Sequence, residues 1–246
     1  MREWQGKRYW LVGASEGLGL ALAQKLSRAG AELILSARTR APLDKAAATV
    51  SGPVSVVECD VAQSSAVKAA AAQIGPVDGV VFLAGVYWPM SAKSLDADQL
   101  EAMCDVNFTG CARVLAEVVP QMVARNQGHI VLTGSLAGFR GLPGAMGYAA
   151  AKAGVMALAE SLYCDLRKTG VQVQMANPGY IRTRLTKKND FSMPMLMEPE
   201  AAAQSMFEHM NSDRFSKSFP APFAWLFRLT PLMPTALYFR LFGRSR

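Results

Sequence analysis

Apolar runs of strand length recur along this chain, each followed by a stretch patterned as a helix, and this alternation limits the fold to very few architectures. The runs are RYWLVGA (8–14), ELILSA (32–37), VSVVECD (54–60), GVVFLAG (79–85), HIVLTGS (129–135) and VQVQMANPG (171–179). Helix-like stretches lie between and after them, over 18–28, 43–50, 64–74, 100–123 and 148–168. Strands that are apolar on both faces belong to a parallel sheet covered on both sides. Right-handed crossovers then predict a doubly wound α/β sheet in three layers, with ligands at the carboxyl ends of its strands. At 246 residues, with no repeat or low-complexity linker, the chain is expected to form a single domain over 1–246.

Composition narrows the function. The chain is 51% hydrophobic and 18% charged, which is globular rather than disordered. It has no apolar run long enough to span a bilayer, and MREWQGKRYWLVG lacks the apolar core of a signal peptide. Cys59, Cys104, Cys111 and Cys164 show no paired metal spacing, and His129 and His209 are far apart, so no metal site is expected. The expectation is a cytoplasmic protein with reduced thiols. The net charge of +7 permits anionic partners, yet no nucleic-acid motif accompanies the basic residues, and no nucleic-acid partner is expected.

The first strand runs into GASEGLG, Gly13 to Gly19. Glycines there allow a tight turn, and the helix that follows presents free amides to an anion. Its place between a strand and an amphipathic helix points to a nucleotide-binding, Rossmann-type sheet, although the spacing is GxxxGxG rather than GxGxxG. In the middle of the chain, GYAAAKAG sets Tyr148 and Lys152 four apart, on one face of an alanine-rich helix.

GASEGLG, Asp60-Val61, Ala84-Gly85, Asn107, Ser135, Tyr148 with Lys152, and Asn177-Pro178-Gly179 fall in an order and spacing that resembles the short-chain dehydrogenase/reductase family over about residues 8 to 185. The resemblance implies an oxidoreductase that interconverts a carbonyl and an alcohol on a small molecule, with Ser135, Tyr148, Lys152 and Asn107 as its catalytic residues. Tyr148 would be the acid/base. Its ordinary pKa near 10 must fall by about three units, or roughly 4 kcal/mol, to serve as a base at neutral pH. An ammonium about 4 Å away at an effective dielectric of about 20 supplies that much, so Lys152 is expected to make Tyr148 acidic. Ser135 would bind the substrate oxygen, and Asn107 would hold a water that relays protons toward Lys152.

The resemblance also implies the cofactor contacts. Gly13, Ser15, Glu16, Gly17, Leu18 and Gly19 would cradle the diphosphate, Asp60 and Val61 would meet the adenine, and Ala84 and Gly85 would lie beneath the cofactor. Tyr148 and Lys152 would reach its ribose, and Pro178, Gly179, Ile181 and Thr183 the nicotinamide. Where an acidic residue would mark NAD, strand two ends on Ala37 with Arg38 next, and an arginine can clasp a 2′-phosphate, so NADP(H) is the expected cofactor. Glu16 stands where many NADP-using relatives carry a basic residue and points the other way. Two further readings remain open: an NAD-dependent dehydrogenase of a small polar alcohol, and a non-catalytic nicotinamide-nucleotide sensor.

The chain departs from the family pattern in places. Val12 replaces a threonine, and Phe82-Leu83-Ala84-Gly85 replaces Asn-Asn-Ala-Gly, so an altered strand contact is expected there. After Gly179 the rhythm changes, and 183–213, with its MPMLM run, suits a substrate-binding lid better than another βα unit. Lys187-Lys188 is read as solvated surface. The segment 214–246 carries six basic residues (Arg214, Lys217, Arg228, Arg240, Arg244, Arg246), no acidic one, and four prolines among aromatics. This basic aromatic extension could roof the pocket, make a dimer contact or lie on an anionic membrane surface. With the lid it suggests a lipophilic substrate. A homodimer through 100–123 and 148–168 is the family expectation, and the unusual ending argues against the family's tetramer.

Overall fold

The computed structural model describes residues 2–243. Seven parallel strands form one sheet in the order β3-β2-β1-β4-β5-β6-β7. They are β1 (Arg8–Val12), β2 (Glu32–Ser36), β3 (Val54–Val56), β4 (Gly79–Phe82), β5 (Gly128–Thr133), β6 (Val171–Pro178) and β7 (Ser216–Phe219). Strand order reverses where the chain crosses from β3 to β4, which opens a crevice at the carboxyl ends of β1 and β4.

Alternation along the strands divides the core into two layers. Tyr9 and Leu11 of β1 face the side covered by α1 (Gly17–Arg28), α2 (Arg40–Ala47) and α7 (Pro199–Met210). Trp10 and Val12 face the side covered by α3 (Ser64–Ile74), α5 (Gly110–Ala124) and α6 (Met146–Leu166). The expected three-layer, doubly wound domain is therefore the observed one. Phe82 is buried in the second layer, and the polar link across the first strands is made elsewhere: Trp10 Nε1 donates to Ser36 Oγ at 2.9 Å, and Ser36 Oγ donates to the Val57 carbonyl at 2.6 Å.

The structure divides the 183–213 segment differently from the sequence reading. Ala202, Ala203, Met206 and Met210 of α7 are buried in the layer that holds α1, and β7 pairs in parallel with β6. A further βα unit thus follows β6, and only the stretch from 180 to 198 is free of long elements. The reason is local: α7 presents small and flexible apolar residues on one face, while SKSF in β7 is too short and polar to read as a strand until β6 offers it a ladder.

The helix expected over 100–123 is also divided. It comprises α4 (Ala97–Cys104), one π-helical turn at Asp105–Thr109, and α5. A π turn inserts a residue into the helix and is common at functional sites. Here it carries Asn107.

A polar network ties the sheet together on the α1 side. The Tyr9 hydroxyl lies 2.9 Å from His129 Nδ1, and His129 Nε2 lies 2.8 Å from Gln174 Oε1. Tyr9 reaches across β4 only because position 79 is glycine, where a methyl would fall 2.2 Å from its ring. Burial pushes His129 down to about 3, helped by the Arg2 charge, and pushes His209 down to about 4, helped by Lys217. Both imidazoles are neutral in the fold and protonate more readily when it opens. Their contribution is complete above about pH 6.5 and is lost as pH falls toward 4 and 3. Urea unfolding at pH 7, 6 and 5 should show stability falling with acidification, by up to about 1.4 kcal/mol per pH unit for each histidine.

Candidate active site

Three backbone segments meet at the crevice. Gly13 follows β1 at φ 96°, and a methyl on it would lie 2.4 Å from the Ala84 nitrogen; one on Gly19 would lie 2.1 Å from the Gly13 oxygen. The amides of Gly13 and Ala14 both donate to the Ser36 carbonyl, at 2.7 and 3.1 Å. Glu16 sits at the N-cap of α1 without a side-chain capping bond, so the first amides of the helix have no side chain to answer them. Backbone-only walls beside an open helix N-terminus fit a diphosphate, which needs close approach and free N–H groups.

Around this turn the expected residues separate into groups. Ser15, Gly17, Ala84, Gly85 and Gly179 line the crevice half-buried. Leu18, Val61 and Ile181 turn their side chains into the core, so what they can present is backbone. Pro178 closes β6, and the Thr183 methyl would lie 3.0 Å from a methyl on Gly17, which brings the 180–198 segment down onto the glycine turn. Glu16 Oε1 is paired with Arg184 Nη2 at 2.8 Å across the same gap. Arg38 is exposed two residues beyond β2, level with Ala14, and its side chain makes no hydrogen bond or ion pair among the described residues. Asp60 lies alongside, because the Cys59 amide donates to the Ala37 carbonyl, and one of its oxygens accepts from the Ala62 amide at 3.1 Å.

The second group lies at the ends of β5 and β4. Ser135 is buried just past β5, where its Oγ accepts from the Ala137 amide at 3.1 Å. Tyr148 is in the first turn of α6, and Lys152 follows one turn on, buried, with Nζ donating to the Thr133 carbonyl at 2.8 Å. That ammonium is 5.7 Å from the centre of the Tyr148 ring. Asn107 is fully buried; its Oδ1 accepts from the Val86 amide and its Nδ2 donates to the Val86 carbonyl, both at 2.9 Å. Its side chain thereby holds the loop after β4, and each of the two atoms keeps capacity for one further hydrogen bond. Among the described residues, Thr133 Oγ1 and Asn177 Oδ1, at the ends of β5 and β6, are buried without a hydrogen-bond partner.

The electrostatics differ from the expectation for Tyr148. Burial raises its pKa, and the Ser135 hydroxyl pulls it only partly back. Burial also lowers Lys152 to about 8, opposed by Cys111. Removing the phenolate from water is the dominant effect on Tyr148, and the Lys152 ammonium, 5.7 Å from the ring centre, is itself engaged with a carbonyl. Tyr148 therefore rests as a phenol, not as a phenol made acidic by Lys152.

Aromatic side chains wall this group. Tyr87 meets Tyr148 edge to face at 5.2 Å, and Tyr180 contacts Phe191 at 6.0 Å and Phe223 at 5.8 Å. Burial raises Tyr87 to about 12, with Tyr180 and Tyr148 adding to it. Lys188, read from sequence as solvated surface, has an exposed side chain, but its Nζ donates to the Tyr87 carbonyl at 2.8 Å and sits 4.1 Å over the Trp88 ring. Sequence reasoning missed Tyr87, Trp88, Tyr180 and Phe223. The available signal was the bulky run Val86-Tyr87-Trp88 directly after Ala84-Gly85, at the end of a central strand where ligands bind. A separate cleft of about 540 Å³ lies on another face of α6, between Met146, Ala150, Phe139 and the C-terminal residues Tyr238 and Phe242, and does not open on Tyr148.

Comparison with known proteins agrees with this geometry. The family of short chain dehydrogenases matches residues 7–192. An uncharacterized oxidoreductase of Myxococcus xanthus is 38% identical over 97% of each chain. Glycine betaine reductase of Emericella nidulans is 35% identical over 82% of this chain, which corresponds to 17% of that protein. A crystal structure of a short chain dehydrogenase/reductase from Burkholderia phymatum in complex with NAD superposes with a TM-score of 0.85 at 25% identity, covering 94% of this chain and 95% of that one. The chain belongs to the short chain dehydrogenase family of oxidoreductases.

Asn107→Ala would leave both polar groups of Val86 unpaired beneath Gly85. It should lower unfolding free energy by about 2 kcal/mol in denaturant titration, a loss that Asn107→Gln, with its longer reach, should restore only in part.

Proposed function

We propose that this protein is an NADP(H)-dependent oxidoreductase that reduces a carbonyl group on an apolar small molecule, with Tyr148 as the proton donor. The observation that carries the reading is the convergence of Ser135, Tyr148 and Lys152 at the carboxyl end of β5, inside an aromatic wall and beside the glycine turn. A nicotinamide dinucleotide held at Gly13 to Gly19, with Asp60, Ala84, Gly85, Gly179 and Thr183 around it, supplies the hydride when bound. The residues of the chain then have three tasks. Ser135 donates a hydrogen bond to the carbonyl oxygen and orients it toward Tyr148. Tyr148, kept protonated by burial, delivers its proton to that oxygen as negative charge develops. Lys152, as the ammonium, steadies the phenolate left behind, and proton return through solvent restores the phenol.

Arg38 supports the choice of NADP(H). It is an exposed, unengaged guanidinium beside the glycine turn, suited to bidentate contact with a 2′-phosphate. The Arg184 contact partly offsets the charge of Glu16, the carboxylate that would otherwise repel the phosphate. Apolar substrate preference rests on Tyr87 packed against the phenol and on the Tyr180, Phe191 and Phe223 cluster that follows β6.

Tyr148→Phe should cut kcat by about 10²-fold or more while leaving NADPH binding by fluorescence intact; full activity in that variant overturns the mechanism. Arg38→Ala should weaken NADPH about 10- to 100-fold and leave NADH nearly unchanged, and an equal loss for both would move the assignment to NAD. The rate of carbonyl reduction should decline as pH rises through about 8, where Lys152 loses its charge while Tyr148 stays protonated. A kcat/KM that climbs with the alkyl length of the carbonyl compound supports the apolar pocket, and a flat or falling trend refutes it.

A further inference from the structure

The C-terminal part of the chain is apolar on two sides. After β7 it forms α8 (Ala221–Leu229), a short 3-10 turn at Thr230–Leu232 and α9 (Thr235–Phe242). The inner face of α8 packs Ala224 and Phe227 against Leu136, the residue after Ser135, with Phe223 and Phe139 at the margin. The outer face of α8 carries Trp225, Leu226 and Leu229, Leu232 follows in the 3-10 turn, and α9 exposes Leu237 and Leu241 on one flank and Phe239 on the other: Trp225 is 59% exposed, Leu232 80% and Phe239 61%. The outward face is held in place rather than folded away. Arg140 Nη1 donates to the carbonyls of Thr230 and Met233, its guanidinium stacks 4.1 Å over Tyr238, and the Tyr238 hydroxyl donates to the Gly141 carbonyl.

We infer that the outer face of α8 and α9 docks this protein on an anionic lipid surface. Three observations favour that occupant. The exposed tryptophan, phenylalanine and leucines of α8, the 3-10 turn and α9 are more concentrated than scattered surface apolar residues. The cations within it are Arg228, 5.2 Å from the Trp225 ring, and Arg240, and from Arg214 to the end of the chain there is no acidic residue. A second copy docked through the same face would bring only further arginines and no carboxylate to the contact, whereas phosphate headgroups complement them. The helices of nine and eight residues are too short to cross a bilayer, and among the described residues no helix is long and apolar enough to do so, so they would lie in the interface plane. Because α8 rests on the loop after Ser135, this docking would set the mouth of the candidate site beside the lipid surface.

The test is flotation of the full chain with vesicles of phosphatidylglycerol and phosphatidylcholine in equal parts, against phosphatidylcholine alone, at physiological ionic strength. Partitioning should be about tenfold or more stronger on the anionic vesicles. Trp225→Ser/Leu229→Ser/Leu232→Ser should reduce it at least tenfold with thermal unfolding unchanged, since all three side chains are exposed. Arg228→Glu/Arg240→Glu should erase the preference for anionic vesicles and serves as the second arm if the triple variant folds poorly. Equal partitioning on both vesicle types, or wild-type binding by the charge-reversed variant, overturns the inference. So does absence of vesicle binding together with a homo-oligomer that the apolar substitutions dissociate in light scattering.

Discussion

Everything at the carboxyl edge of the sheet depends on β1, β4 and α1 touching backbone to backbone at Gly13. No Cβ fits between Gly13 and Ala84, or between Gly19 and the Gly13 carbonyl. That contact brings α1 onto the end of β1 with its first amides facing the crevice, at the point where strand order reverses. A single methyl there would push the helix away from the sheet edge. The cost would fall on the geometry of the anion site before it fell on the core.

The second constraint is electrostatic. Tyr148 and Lys152 share one helical face and one buried environment, and burial acts on them in opposite directions: it favours the neutral phenol and the neutral amine. Lys152 is held near the threshold of neutral pH, and its ammonium is steadied by the Thr133 carbonyl. The pair as it stands is better suited to giving a proton than to taking one, which is why the proposed direction is reduction.

The elements above the site are joined to it by polar contacts as well as by the apolar packing of α8 on Leu136 and of Ile181 on the core. Glu16 with Arg184, Lys188 with the Tyr87 carbonyl, and Arg140 with Thr230 and Met233 join the 180–198 segment and the C-terminal helices to the loops after β1, β4 and β5. Exposed ion pairs such as Glu16–Arg184 contribute little to stability.

Six strands and most of the helices were legible in the sequence, because strands buried on both faces must be apolar throughout and their helices must carry one apolar stripe. The proximity of Ser135, Tyr148 and Lys152 was legible for a related reason: their spacing is imposed by a strand end and by one turn of helix, both local. Other features depended on neighbours far along the chain. SKSF becomes β7 only against β6, 105–109 becomes a π turn only where Asn107 can pair with Val86, and Tyr87, Tyr180 and Phe223 meet their aromatic partners only after two loops and α8 converge. The state of Tyr148 belongs with these, since spacing brings a lysine near a phenol but burial decides which form the phenol takes. The sequence by itself determined the layered sheet and the residues gathered at its edge, through local periodicity. Tertiary structure decided their protonation, the aromatic enclosure and the outward apolar face of the C-terminal helices, because desolvation and exposure are properties of what surrounds a residue and not of the residue itself.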